Sequence, residues 1–288
     1  MAAAMWLTGG HRIAIMFGVE GDYVAATYSS ARRTASLCVA LASLILSSFS
    51  LAVDWPCYRG PDRNGQTSES INRWPLLEVW RTSVGFGYYS VAVGGGRVYA
   101  IGDTNLFCFS EDSSGLNPAP LWIRALTARC HATPTAAGGN VYVFAQDGRL
   151  TCLDTATGAV IWTKTVTCPV PQYGFASSPL IEGNVVVINS GGHGTGIDAT
   201  HPGPHNILWG DDASGSSYAS AVPFTWQTQQ LVAIQGATNV LCVDPATGIP
   251  FSWFNCGSHY SDPIVLDGKL YVPEYGAVEL GSGRLTVD

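Results

Sequence analysis

Charge is what this sequence has least of. Asp, Glu, Lys and Arg together make up 12% of 288 residues, and 14 basic residues face 21 acidic ones, for a formal net charge of -7. No basic stretch follows the first paired arginines, which speaks against nucleic acid as a partner. A mildly acidic surface serves solubility and says little about function. The chain also lacks any Cys-x-x-Cys, so neither a zinc ribbon nor a dithiol redox motif is indicated. It lacks a Gly-x-Ser-x-Gly elbow, the usual turn that presents a hydrolytic serine. Its uncharged run from Ala35 to Phe49 is shorter than the roughly twenty residues that span a bilayer. What the chain has instead is 33 glycines and 16 prolines in a background that is 47% hydrophobic. That composition suits short strands joined by tight turns and suits helices poorly.

The turn formers recur in a fixed pattern. The clearest copy runs Gly138-Gly139-Asn140-Val141-Tyr142-Val143-Phe144, then Asp147-Gly148-Arg149-Leu150-Thr151-Cys152-Leu153-Asp154, then Thr157-Gly158 and Trp162. Trp80, Trp122, Trp162, Trp209 and Trp253 lie 42, 40, 47 and 44 residues apart, and Asp154, Asp198, Asp244 and Asp288 lie 44, 46 and 44 apart. A period near forty with this strand content predicts an all-β fold, a β-propeller of four-stranded antiparallel blades. Each repeat opens on a strand of small residues and proline, such as Ala132-Thr133-Pro134-Thr135 and Ser261-Asp262-Pro263-Ile264, suited to the crowded inner edge of a blade. Gly158 and Gly248 are expected in turns at positive φ, with Asp154 and Asp244 accepting hydrogen bonds from the turn amides. The tryptophans are read as structural, each burying its flat face against the glycine turn of the next blade.

The domain reading follows. Residues 1–52 form an N-terminal extension and secretory signal, 53–75 an irregular lead-in, and 76–288 the repeats, with blades at about 83–122, 123–162, 163–209, 210–253 and an incomplete 254–288. The signal rests on Arg32-Arg33, the uncharged run 35–49, and small Ser50 and Ala52 before a cut ahead of Val53. Retained, the same run would anchor the chain to a membrane. Of eight cysteines, Cys108, Cys152 and Cys242 share one repeat position and read as core filler, while Cys130, Cys168 and Cys256 follow repeat tryptophans; some could pair in an exported protein. The strand around Trp80 has no preceding Asp-x-x-Thr-Gly and fits the strand that closes a ring, meant for a later blade that the chain lacks or, in a small ring, for the fifth. Arg284 to Asp288 is expected to be the third strand of the last repeat.

These residues resemble the pyrroloquinoline-quinone-type propeller repeat, whose blades carry Ala-x-Asp-x-x-Thr-Gly-x-x-x-Trp. The match is carried by Leu153-Asp154 through Trp162 and by Val243-Asp244 through Trp253; the third repeat keeps Asp198 and Trp209 without the Thr-Gly, and the first keeps Trp122 with Ser110 in place of the aspartate. The lead-in Trp55-Pro56-Cys57-Tyr58-Arg59-Gly60-Pro61 is similar to exported, BamB-like propellers of planctomycete-type bacteria. The resemblance implies rings of seven or eight blades, of which about four and a half are present, so an incomplete ring. It implies an exported, non-enzymatic scaffold in the bacterial envelope with an envelope protein as partner. The alternative it raises is a quinone- or metal-dependent oxidoreductase, or a fragment of one. Quinone dehydrogenases of this type often carry an adjacent cysteine pair, and no Cys-Cys occurs here. No cofactor is therefore expected, with pyrroloquinoline quinone as the alternative.

Two local clusters compete with the purely structural reading. His193, His201 and His205, with Asp198 between and Asp211-Asp212 after, offer imidazole and carboxylate of the kind that suits zinc or copper. The plainer reading is a glycine- and proline-rich insertion loop, because Pro202 and Pro204 break any regular spacing and Asp198 already has a repeat role. Cys130-His131 are neighbours in sequence and point to opposite faces of an extended chain, which disfavours a catalytic dyad. No catalytic residue is assigned.

Overall fold

The computed structural model describes two short strands near the N-terminus and residues 54–287 apart from 70–74, 76, 88–90, 201–202, 204–205, 256–259, 273–275 and 281–284. The hydrophobic run 35–49, His201, His205 and Cys256 lie outside the described residues. The chain divides into units 1–52 and 53–288. In the first, β1 (Met5–Thr8) pairs antiparallel with β2 (Arg12–Ile15).

The second unit is five four-stranded antiparallel sheets. After β3 (Trp80–Arg81), blade I comprises β4 (Ala92–Gly94), β5 (Arg97–Gly102), β6 (Asn105–Ser110) and β8 (Trp122–Ala125), with β7 (Gly115–Leu116) in the loop between its last two strands. Blade II is β9 (Thr135–Ala137), β10 (Asn140–Phe144), β11 (Arg149–Asp154) and β12 (Val160–Thr165). Blade III is β13 (Leu180–Glu182), β14 (Val185–Ile188), β15 (Thr195–Asp198) and β16 (Ile207–Gly210). Blade IV is β17 (Val222–Trp226), β18 (Gln229–Gln235), β19 (Val240–Val243) and β20 (Pro250–Phe254). Blade V is β21 (Ile264–Leu266), β22 (Lys269–Val272), β23 (Gly276–Leu280) and β24 (Leu285–Val287). Each sheet is a meander of sequential strands, with a two-residue turn between its first and second strands.

The core is layered rather than single. Both faces of the middle strands are apolar, so each sheet packs on the next. Ala92, Tyr99 and Leu106 of blade I meet Val141, Val143 and Leu153 of blade II. Tyr142, Phe144 and Trp162 of blade II meet Val186, Ile188 and Ile197 of blade III. Val185 and Val187 of blade III meet Val232, Ile234 and Leu241 of blade IV, and Phe224 and Leu231 of blade IV meet Leu270 and Val272 of blade V. Cys108, Cys152 and Cys242 are fully buried in these layers, and all six described cysteines are free thiols. Burial pushes the Cys152 and Cys242 thiols up to about 12.

The Trp80 strand, β3, runs parallel to β7 of blade I, with Trp80 over Phe109 at 5.6 Å. Two expectations are corrected. Leu285–Val287 is the fourth strand of its sheet and not the third, because Gly276–Leu280 takes the third place against β22. Trp253 is not equivalent to the other repeat tryptophans. Trp162 stands opposite Cys152 and Trp209 opposite Gly196, whereas Trp253 stands opposite Leu241 and Ser252 takes the place across from Cys242. Trp162 follows its turn glycine by four residues and Trp253 follows Gly248 by five. One extra residue turns a side chain to the other face of a strand, and Trp253 is 60% exposed where Trp162 is 6%.

Candidate functional site

Blade junctions and the axis are where this fold assembles polar side chains, so the site is built from there. At the outer rim, the Trp122 indole N–H donates to the Thr155 carbonyl at 3.0 Å, Trp162 to Ala199 at 3.3 Å and Trp209 to Pro245 at 2.9 Å. Each acceptor lies in or beside the turn between the third and fourth strands of the following blade. Asp154 Oδ1 accepts from the Thr157 amide and hydroxyl, Asp198 Oδ1 from those of Thr200, and Asp244 Oδ1 from the Ala246 and Thr247 amides. The Thr157 bonds hold the Asp154 carboxyl below its ordinary value. Gly158 and Gly248 have φ of +66° and +69°, and a Cβ at either would strike the indole of Trp122 or Trp209.

At the axis, the inner strands are stitched by one row of hydrogen bonds. The Thr133 amide donates to Ser178 Oγ, the Ser178 amide to Ser220 Oγ, and the Ser220 amide to Asp262 Oδ1. These donors and acceptors occupy one register position in blades II to V.

The lead-in segment runs across this row and touches every blade. Trp55 bridges Val93 of blade I, and Pro56 O accepts from the Ala136 amide of blade II at 2.8 Å. Arg63, 4% exposed, donates to the carbonyls of Pro179 in blade III and Ala221 in blade IV. Arg59 lies 3.8 Å from the Asp262 carboxylate of blade V. Desolvation raises Asp262, opposed by the Ser220 amide, Arg59 and Arg63. Desolvation likewise raises Glu182, opposed by Arg63, and lowers Arg63 itself. Sequence reasoning missed this role of the lead-in, whose only signal was an arginine pair among turn formers.

The histidine cluster does not assemble as the sequence suggested. His193 sits in the loop between β14 and β15, where Nδ1 lies 2.7 Å from Asp212 Oδ2, while Asp198 is at the opposite end of β15. Burial alone would raise Asp212; bonds from the Ser214 hydroxyl and amide, the Gly192 amide and His193 hold it at about 2. Among the described residues no three His, Cys, Asp or Glu side chains converge to hold a metal. Cys130 is buried, and His131 faces Gln146 instead.

Comparison with known proteins places this geometry. The chain is similar to a quinohemoprotein alcohol dehydrogenase, ADH IIB, of Pseudomonas putida, with 26% identity over 190 residues, 59% of this chain and 28% of that protein. Among solved structures it resembles BamB from Moraxella catarrhalis (TM-score 0.52, 16% identity, 71% of this chain and 62% of that one). It also resembles quinohemoprotein alcohol dehydrogenase from Comamonas testosteroni (TM-score 0.59, 15% identity, 82% and 47%). The chain thus spans between about a quarter and two thirds of the length of these relatives. The layered sheets, the tryptophan-on-turn junctions and the repeat that encodes them agree with a family model matching residues 77–277, and the chain belongs to that family, described as outer membrane protein assembly factor BamB.

Proposed function

We propose that this propeller is an exported, non-enzymatic scaffold that binds a protein partner in the bacterial envelope. The observation that carries the reading is the match of residues 77–277 to a family described as an outer membrane protein assembly factor. At the register position of Tyr271, blades I to IV have Tyr99, Tyr142, Val187 and Ala233, all 3% exposed or less, because the next blade covers them; Tyr271 is 39% exposed. Ile264 and Leu266 beside it are 49% and 56% exposed. An apolar sheet face of this kind fits a further sheet of the same repeat, whether from this protein or from a partner. The family description, an assembly factor, supports the same direction, and the N-terminal pattern supports export.

The alternative is an oxidoreductase using pyrroloquinoline quinone, favoured by the likeness to quinohemoprotein dehydrogenases. That cofactor is a flat tricarboxylate and needs open space ringed by free cationic donors. Here the lead-in crosses the inner strands, and the guanidinium groups of Arg59 and Arg63 are committed to Asp262 and to two carbonyls. At the inner strands, these two cations are therefore not free to receive that group.

The test is affinity capture from envelope extract with the full protein. One envelope protein captured saturably is the expected result. Absence of any saturable capture would refute the scaffold reading. Quinone absorbance and dye reduction on adding quinone and calcium would favour the alternative.

A further inference from the structure

Three tyrosines form a continuous row across blades III, IV and V. The Tyr173 and Tyr218 rings have centroids 5.9 Å apart and planes tilted by 46°, and Tyr218 stacks on Tyr260 at 5.5 Å with planes 8° apart. Tyr173 and Tyr260 are 57% and 72% exposed. Tyr218 and Tyr260 stand two residues before Ser220 and Asp262, the axial acceptors of their blades, and Asp262 faces Arg59 of the lead-in. Blade III has Ala176 at that position. The row is continued there by Tyr173, the third residue of a turn from Pro171 to Gly174. The Tyr173 amide donates to Tyr218 Oη at 3.2 Å, and its carbonyl accepts from Gln146 Nε2 of blade II at 3.2 Å, so the turn is held from both sides.

Single exposed apolar side chains are ordinary, but rings in mutual contact across three blades make a surface. The tilt of Tyr173 makes that surface ridged. A flat sugar ring is better served by one flat platform with an amide or carboxylate beside it, and the neighbouring Gln146 amide is committed to His131 and to the Tyr173 carbonyl. A polyproline II helix rises about 3.1 Å per residue, which sets every second residue about 6 Å apart, close to the ring spacing. Its carbonyls make no internal hydrogen bond and can accept from exposed phenols. Charge favours a basic ligand. The tyrosines lie in connections between blades, at the end that also carries the turns between second and third strands. In the described loops at that end, Asp103, Asp147, Asp211 and Asp212 stand against Arg129.

We propose that the row of Tyr173, Tyr218 and Tyr260 binds a proline-rich segment of a protein partner, in the polyproline II conformation and flanked by basic residues. Proline rings pack on the exposed tyrosines, and the segment is already extended before it binds, so little conformational entropy is lost. The basic flank meets the loop aspartates. This names the partner chemistry of the scaffold reading and rests on it.

The experiment is fluorescence anisotropy of the full chain with a labelled decaproline peptide ending in two lysines. A glycine-serine peptide with the same ending and a chitin hexasaccharide are the comparison probes. Saturable binding of the proline peptide is expected, with the glycine-serine peptide weaker by about tenfold or more. Tyr260→Ala and Tyr173→Ala should each weaken the proline peptide by about tenfold at unchanged melting temperature. Tyr173→Ala keeps both backbone bonds of its turn, so it reads the ring alone. Equal affinity for the two peptides would overturn the proposal in favour of charge alone. Binding of the hexasaccharide without the proline peptide would overturn it in favour of a glycan platform. No binding, or unchanged affinity in both folded variants, would also overturn it. These probes are measured without envelope extract, so their failure leaves capture of an envelope protein, and with it the scaffold reading, standing.

Discussion

Replacing Gly158 by alanine isolates the contact that joins one blade to the next. Gly158 has φ +66°, and an added Cβ would lie 2.6 Å from two ring carbons of Trp122. Gly138 has φ +59° with nothing within 4 Å of its Cβ position. Both substitutions carry the left-handed backbone penalty of about 1–2 kcal/mol. Only Gly158→Ala must also move the indole, which breaks the Trp122 bond to Thr155 O and strains the Arg124 bond to Gly158 O at 2.7 Å. At about 1 kcal/mol for each, Gly158→Ala should cost about 2 kcal/mol more than Gly138→Ala. For a unit of this size that separates the melting temperatures by about 4–8 °C. Gly248→Ala, facing Trp209, should behave as Gly158→Ala does. Calorimetry on the three variants reads the difference, and tryptophan emission reports whether the indole moved. Equal losses in Gly138→Ala and Gly158→Ala would show that backbone conformation alone fixes these glycines, and that the tryptophan junction contributes nothing.

Two further outcomes are expected. Arg63→Met removes the buried cation between blades III and IV; Pro179 O keeps Thr135 Oγ1 at 2.7 Å, so the loss is chiefly the bond to Ala221 O and amounts to about 2 kcal/mol. Urea unfolding should show it, and a loss well under 1 kcal/mol would mean the lead-in lies on the blades without holding them. Asp212 has its folded value depressed from 3.8 to about 2, so its contribution to stability is present above about pH 4 and is lost as pH falls through about 2. Asp212→Asn should flatten the decline of the urea midpoint across that acid range, and parallel pH profiles for variant and wild type would contradict the assignment.

The blade pattern was legible because it is local. A strand, a glycine turn and a second strand are set by period two and by positive φ, and Asn140↔Asp154 through Phe144↔Leu150 pair as alternation and turn chemistry require. Trp253 shows the limit of that reasoning. A family pattern tolerant of one residue scores Trp253 with Trp162, but sheet register does not, and counting from the turn glycine would have separated them. The lead-in was illegible for the opposite reason. Its partners are carbonyls and amides of four inner strands and one distant aspartate, and any sequence offers such groups.

The contrast bears on how such a repeat diversifies. Positions that carry the junctions, Trp122 on Thr155 and Trp209 on Pro245, repeat because every blade faces the same packing problem. A ligand or partner site cannot repeat in that way, since it depends on what one blade meets and the others do not. The features that break the pattern are Arg97 where blade II has Asn140 and Asp262 where blades III and IV have serine. Both face the lead-in, which crosses all five blades. Specific chemistry in this chain therefore belongs where the non-repeating segment meets the repeat.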